Sequence, residues 1–154
     1  DVFWDDSESL QPVLLALERQ SEHPLAEAVA RHFAGAPVAE LTGFDSLTGR
    51  GVSGRFEGKT YVVGNRKLLA ERGIEVPPRI EGQAGRWQAE AKTVVFFADE
   101  KQVLAALAIA DPVKATSQAA VAALQKRGIA VFMLTGDNAQ TAASVARQVG
   151  VTDY

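Results

Sequence analysis

The chain has 154 residues, 47% of them hydrophobic and 23% charged, which is ordinary for a globular protein and enough for one good core, or one domain plus part of a second. Sixteen Lys and Arg against nineteen Asp and Glu leave a net charge of −3, so no basic field argues for a nucleic-acid partner or an acidic membrane surface. There is no cysteine, which excludes disulfides and thiolate metal sites and fits a reducing compartment.

No apolar run approaches the roughly 20 residues needed to span a bilayer. Asp1, Asp5 and Asp6 are the wrong flank for a signal peptide.

Ser7 is placed to cap a first helix, with Leu10, Leu14, Leu15 and Leu17 on its apolar face. Pro24 then interrupts, because a residue before proline is pushed away from helical angles. That puts His23 at a break and Pro24 in the first turn of a second helix through Ala26, Val29 and Phe33, which Gly35 ends. Short β-rich runs follow near 38–45, 50–57 and 59–63, with Glu57-Gly58 as a hairpin turn between the last two. Asn65 can cap a short helix ending near Gly73. Pro77 and Pro78 open another, expected to be irregular around Gly82 and Gly85. Val94–Ala98 and Val103–Ala110 make a second hairpin, turning at Asp99-Glu100. After Asp111-Pro112 the texture changes to an Ala-rich helix over 114–127, a buried-type strand Ile129–Leu134 and a helix over 138–149 stopped by Gly150.

These elements predict an α+β fold: an antiparallel sheet flanked by helices over residues 1–110, followed by an incomplete α/β segment over 111–154. No internal repeat or low-complexity stretch is visible.

Four short elements carry chemistry, in fixed order: Ser21-Glu22-His23-Pro24, Gly49-Arg50-Gly51, Gly64-Asn65 and Thr135-Gly136-Asp137-Asn138. Glu18 and His23 would diverge by about 140° on an unbroken helix, and the break before Pro24 lets both turn toward one place. An imidazole can lie against a purine or hydrogen-bond to it, and a carboxylate can accept from an exocyclic amine. Gly49 and Gly51, two apart in a strand-like run, are expected to bare one face of backbone to a flat ring. Gly64-Asn65 offers close approach and an amide. Each also has a plainer reading. His23 can be a cap, Glu18 a solvated residue, the glycines a bulge and Asn65 a helix cap. Thr135-Gly136-Asp137 can be a strand-to-helix turn, or its helix-start amides and the Thr135 hydroxyl can hold phosphate.

In this order the elements resemble the nucleotide-binding and phosphorylation region of heavy-metal-transporting P-type ATPases, above all the copper exporters, and the resemblance covers nearly the whole chain. It implies an ATP site lined by Glu18, His23, Gly49, Gly51, Val52, Gly64 and Asn65. The His-Pro pair picks out the metal-transporting branch, since other P-type ATPases hold adenine with a set built around a Phe and a Lys. The resemblance also implies that Thr135 and Asp137 belong to a haloacid-dehalogenase-like phosphorylation domain, with Asp111-Pro112-Val113-Lys114 at the point where the chain re-enters it. The family's Asp-Lys-Thr-Gly-Thr phosphorylation motif is absent from these residues, and the Gly-Asp-Gly segment that binds Mg2+ is absent as well. The nucleophilic Asp is expected just before residue 1 and the Mg2+ segment beyond residue 154. No metal-ligand set is expected within the chain, and the isolated chain is expected to bind nucleotide without turnover. Expected partners are adenine nucleotide and the remaining phosphorylation, actuator and transmembrane domains of a pump, whose cytoplasmic part this would be. Self-association through the incomplete second domain is a further expectation. Two other readings are a stand-alone adenine-nucleotide sensor or adaptor, and a truncated haloacid-dehalogenase-like phosphatase.

Overall fold

A computed structural model of the chain describes residues 1–110, 113–135 and 139–154. They form two compact units. The first comprises Asp1–Ala84 with Val94–Ile109, and the second Gly85–Thr93 with Ala110–Tyr154.

The first unit is organised by a six-stranded antiparallel sheet. Its strands are β1 (Val2–Trp4), β2 (Thr42–Leu47), β3 (Gly51–Phe56), β4 (Lys59–Gly64), β5 (Thr93–Ala98) and β6 (Val103–Ile109), in the spatial order β1-β6-β5-β4-β3-β2. The β3–β4 turn is Glu57-Gly58, both at positive φ (49° and 80°), which matches the right-handed twist of the flanking strands. At the second hairpin the Asp99 carboxylate accepts from the Lys101 and Gln102 amides, both at 2.8 Å. Strand β1 has no counterpart in the expected pattern. It pairs Val2 with Leu107 and Trp4 with Ala105, a partner about a hundred residues away that no local signal announces.

Side chains alternate across each strand, so Phe97 and Phe96 point to opposite faces. Phe97 stacks on Tyr61 at 5.8 Å between centroids and meets the edge of Trp4 at 6.1 Å. Against this face pack Val13, Leu14 and Leu17 of helix α1 (Gln11–Gln20) and Val29 of α2 (Pro24–His32). The Phe96 face is covered by helix α3 (Arg66–Glu71), whose Arg66 guanidinium lies 5.1 Å from the ring centroid while bound to both oxygens of Glu81 at 2.7 and 2.8 Å. Helix α4 (Pro78–Ala89) buries Ile80 and Ala84 one turn apart. It runs unbroken through Gly82 and Gly85, contrary to the expected irregularity, because a single glycine weakens a helix without ending it. Ser7 does not cap α1. Its hydroxyl donates to the Asp5 carbonyl, a short 3-10 turn over Glu8–Leu10 intervenes, and α1 starts at Gln11 with Pro12 in its first turn.

In the second unit, α5 (Ser117–Lys126) packs on α6 (Ala139–Val149), and Gln125 Nε2 donates to the Gly150 carbonyl at 2.9 Å. Ala142 and Ala146, on one face of α6, are buried with Val151, whereas α5 buries no residue. The expected strand Ile129–Leu134 is not formed. Only Phe132 bridges to Asp153, in parallel sense, supported by the Met133 amide on the Asp153 carbonyl. A strand needs a continuous ladder on at least one side, and the described residues of this unit supply a single rung.

Candidate functional site

The corner where β4 turns into α3 is built around Asn65. Its backbone is extended (φ −84°, ψ 174°), which places its side-chain oxygen to accept from the Leu68 amide at 3.1 Å and cap α3. The same side chain donates through Nδ2 to the Gly49 carbonyl at 2.9 Å, and its backbone amide donates to the Arg50 carbonyl at 2.9 Å. One residue thus ties the β2–β3 turn to the start of a helix. Sequence reading found the cap, but a bond to a carbonyl sixteen residues away leaves no local trace.

Gly51 and Gly64 are direct partners in the β3–β4 register. A Cβ on Gly51, which sits at φ +149°, would run into the Val63 carbonyl oxygen. One on Gly64 would run into the Arg50 carbonyl oxygen and the Leu68 side chain. Both glycines therefore serve close approach of backbone to backbone. This corrects the expected geometry, in which Gly49 and Gly51 bare one face of a strand. Gly49 lies in the turn before β3 at φ +69°, with open space where a Cβ would be. Arg50, between the two, pairs with Glu71 at 3.2 Å across a half-exposed surface. Val52 is packed into the core beneath β3, so its contribution to the corner is apolar support.

A second group lies at the α1–α2 junction. The Ser21 amide closes α1 on the Glu18 carbonyl at 3.1 Å, and His23 takes up extended angles (φ −74°, ψ 135°), the break expected before Pro24. The His23 imidazole caps α2, with Nδ1 accepting from the Leu25 amide at 3.2 Å. That bond leaves Nε2 of an exposed ring to face outward as a donor. Glu18 differs from the solvated residue of the plainer reading: it is only 6% exposed. Burial alone pushes its carboxyl up from 4.5 to about 7. Among the described residues its carboxyl makes no hydrogen bond and no ion pair.

The structure thus gathers Gly49, Gly51, Gly64 and Asn65 into one hydrogen-bonded corner, and Glu18 and His23 into one inter-helix junction. Helix α1 lies against β3 and β4, the two strands that carry the corner. No hydrogen bond or ring contact joins the two groups among the described residues. Thr135 is exposed and engaged in an interaction of its own. Asp137, with Gly136 and Asn138, lies outside the described residues, as do Asp111 and Pro112. Among the described residues no group of three His, Cys, Asp or Glu side chains is placed to hold a metal ion, and no helix is long and apolar enough to cross a membrane.

An antiparallel sheet flanked by helices in an α+β fold agrees with what known proteins show. The haloacid dehalogenase-like hydrolase family matches residues 2–154, and the chain belongs to that family. Its relatives are copper-transporting P-type ATPases. It is 41% identical over 150 residues to a probable copper-transporting ATPase of Synechococcus elongatus, covering 96% of this chain and 20% of the relative. It is 40% identical over 138 residues to a probable copper-importing P-type ATPase of Enterococcus hirae, covering 88% of this chain and 19% of that protein. The chain therefore spans about a fifth of the length of these relatives. Among solved structures, a zinc-transporting PIB-type ATPase in its E2.Pi state superposes on all of this chain and 25% of its own, with a TM-score of 0.71 at 22% identity, which shows a shared fold. Relatives of this kind do not favour a stand-alone sensor.

Proposed function

We propose that this chain is the ATP-binding part of a metal-transporting P-type ATPase, with residues 1–110 forming the nucleotide-binding domain and 111–154 a section of the phosphorylation domain. The observation that carries the reading is the Asn65 corner. A strand-to-helix turn, a loop carbonyl and a pair of apposed glycines are locked there by one side chain, on strands against which the Glu18 helix packs, with the His23 helix packed on that helix in turn. Such a corner offers rigid backbone and open space to a flat base, and the outward Nε2 of His23 offers a donor. Nucleotide would lie with its adenine toward Glu18 and His23. Its phosphates would point toward an aspartate beyond these residues.

Mg2+ belongs to the complete enzyme in this reading. Phosphorylation of that aspartate would drive metal through membrane helices, with this part on the cytoplasmic side. Copper is the metal the relatives favour. The Enterococcus relative is described as an importer and other relatives as exporters, and the motifs resemble those of the exporters.

Calorimetric titration tests the reading. ATP, ADP and AMP are expected to bind with similar strength, roughly 0.1–1 mM, because the proposed contacts address the base and no Gly-rich phosphate loop is present. Absence of ATP binding would overturn the proposal. AMP binding more than tenfold weaker than ATP would move the principal contacts from base to phosphate.

A further inference from the structure

Glu18 poses a chemical question that its assignment to the adenine end leaves open. An adenine edge presents an amine hydrogen at N6 beside a ring-nitrogen lone pair, N1 on one side and N7 on the other. An ionised carboxylate only accepts. It can take the N6 hydrogen, but its second oxygen then faces the ring lone pair and repels it. A neutral carboxyl has one acceptor and one donor, which is the complement of that edge.

The position of Glu18 selects between the two forms. Its side chain is nine-tenths buried in the last turns of α1, on a helix that is buried continuously from Val13 to Glu18. No hydrogen bond or ion pair compensates a charge there among the described residues. The charged and titratable groups on the segments packed against α1 are Glu8 before it, His23 at the cap of α2 with Glu27, Arg31 and His32 on that helix, Glu40 beside the Ala39 amide that bonds the Pro12 carbonyl, Arg55 on β3, and Lys59 and Tyr61 on β4. None of them contributes to the upward shift of the Glu18 carboxyl, which comes from burial alone. A carboxyl without a counter-charge avoids the cost of a bare buried ion by keeping its proton.

We infer that Glu18 reads adenine as a neutral acid, its carbonyl oxygen accepting from the N6 amine while its O–H donates to the neighbouring ring nitrogen. This rests on the proposed nucleotide site and adds to it a protonation state, and with it a pH-dependent recognition of the base. The sign follows from linkage. Adenine binds the protonated form, so binding is full below about pH 7, where the free carboxyl holds its proton, and weakens as pH rises through that value.

The experiment titrates ATP, 1-deaza-ATP and 7-deaza-ATP into the whole chain at pH 6 and pH 8, with Glu18→Gln alongside. The Gln amide offers one acceptor and one donor at every pH. Changes that arise elsewhere, in the phosphates or His23, persist in that variant and are divided out. Relative to Glu18→Gln, the wild-type chain is expected to bind ATP about tenfold more weakly at pH 8 than at pH 6. One of the two deaza analogues, lacking the ring nitrogen that Glu18 addresses, should bind more weakly than ATP at pH 6 and lose this pH dependence. Equal corrected affinities for ATP at the two pH values, or two deaza analogues that both match ATP, would overturn the inference while leaving the nucleotide site standing. Failure of ATP to bind at either pH would instead remove the site on which it rests.

Discussion

Phe96 and Phe97 in the sheet unit are fully buried, whereas Phe132 in the second unit is 72% exposed and Leu134 is completely so. The residue types are alike, and the difference lies in what surrounds them. Strand β5 has a paired strand on each side and a helical layer on each face, so adjacent apolar residues both find partners. The run Ile129–Leu134 has one bridging rung and a neighbouring helix, α5, that buries nothing. Apolar sequence proposes burial, and neighbours decide whether it happens.

The largest contrast between the units is expected at these phenylalanines. Phe97→Ala should cost about 3–5 kcal/mol in a urea melt of the sheet unit, since it removes a ring packed against Tyr61, Trp4 and α1. Phe132→Ala should stay within about 0.5 kcal/mol. A comparable loss at Phe132 would mean that the second unit owns a core of its own. Amide hydrogen exchange gives an independent view: β5 and β6 should be the slowest segments and α5 among the fastest.

Gly51→Ala comes next. Its methyl group would strike the Val63 carbonyl at a φ that side chains rarely adopt, so a loss of about 2–3 kcal/mol is expected, with β3–β4 exchange accelerating. A melt unchanged from wild type would show that the two strands part at no cost. The same measurement would then leave contact with ligand as the reason for the glycine.

Glu18 tests how complete the burial in the sheet unit is. Its carboxyl titrates near 7 in the folded chain against 4.5 ordinarily, so the folded state holds the proton more tightly between those values. That contribution to stability is fully present below about pH 4.5 and is lost as pH rises through about 7. The offset is up to about 3 kcal/mol, and Glu18→Gln should recover part of it at pH 8 and nearly none at pH 4.5. Parallel pH–stability curves for variant and wild type would show that water reaches the carboxyl.

The smallest effect on stability is expected at His23. Losing the bond from the Leu25 amide to Nδ1 in His23→Gln should cost about 1 kcal/mol, with nucleotide affinity falling by more than the fold does. Collapse of the apo melt would make His23 a structural residue first.

Much of this architecture was legible because its signals are local. Pro24, Asn65, Glu57-Gly58 and Gly150 act on their own turn of chain, and the elements they bound appear where the spacing puts them. What escaped depends on distant partners. Strand β1 exists because β6 offers a free edge, and the run Ile129–Leu134 fails as a strand because the described residues of its own unit offer a single rung. The site divides in the same way. Asn65 as a cap is a four-residue matter, while its hold on Gly49 and the burial of Glu18 depend on how α1, β3 and β4 assemble. The spacing of Gly49 and Gly51 suggests backbone bared to a flat ring, whereas the obstacle to a side chain at Gly51 is the opposite strand, which only the register reveals.

The short strand β1 has one more consequence. The Asp1 nitrogen donates to the Ala108 carbonyl and the Ala108 amide donates to the Asp1 carbonyl, both at 2.9 Å, so the first residue and the end of β6 are neighbours across one ladder. A folded module whose entrance and exit stand side by side can be spliced into a surface loop of an unrelated host with little stretching of either chain. The same adjacency lets the old ends be sewn together and new ones cut at the Glu57-Gly58 turn. For an engineer, the continuous stretch 1–109 that carries the sheet has its two connectors on one edge.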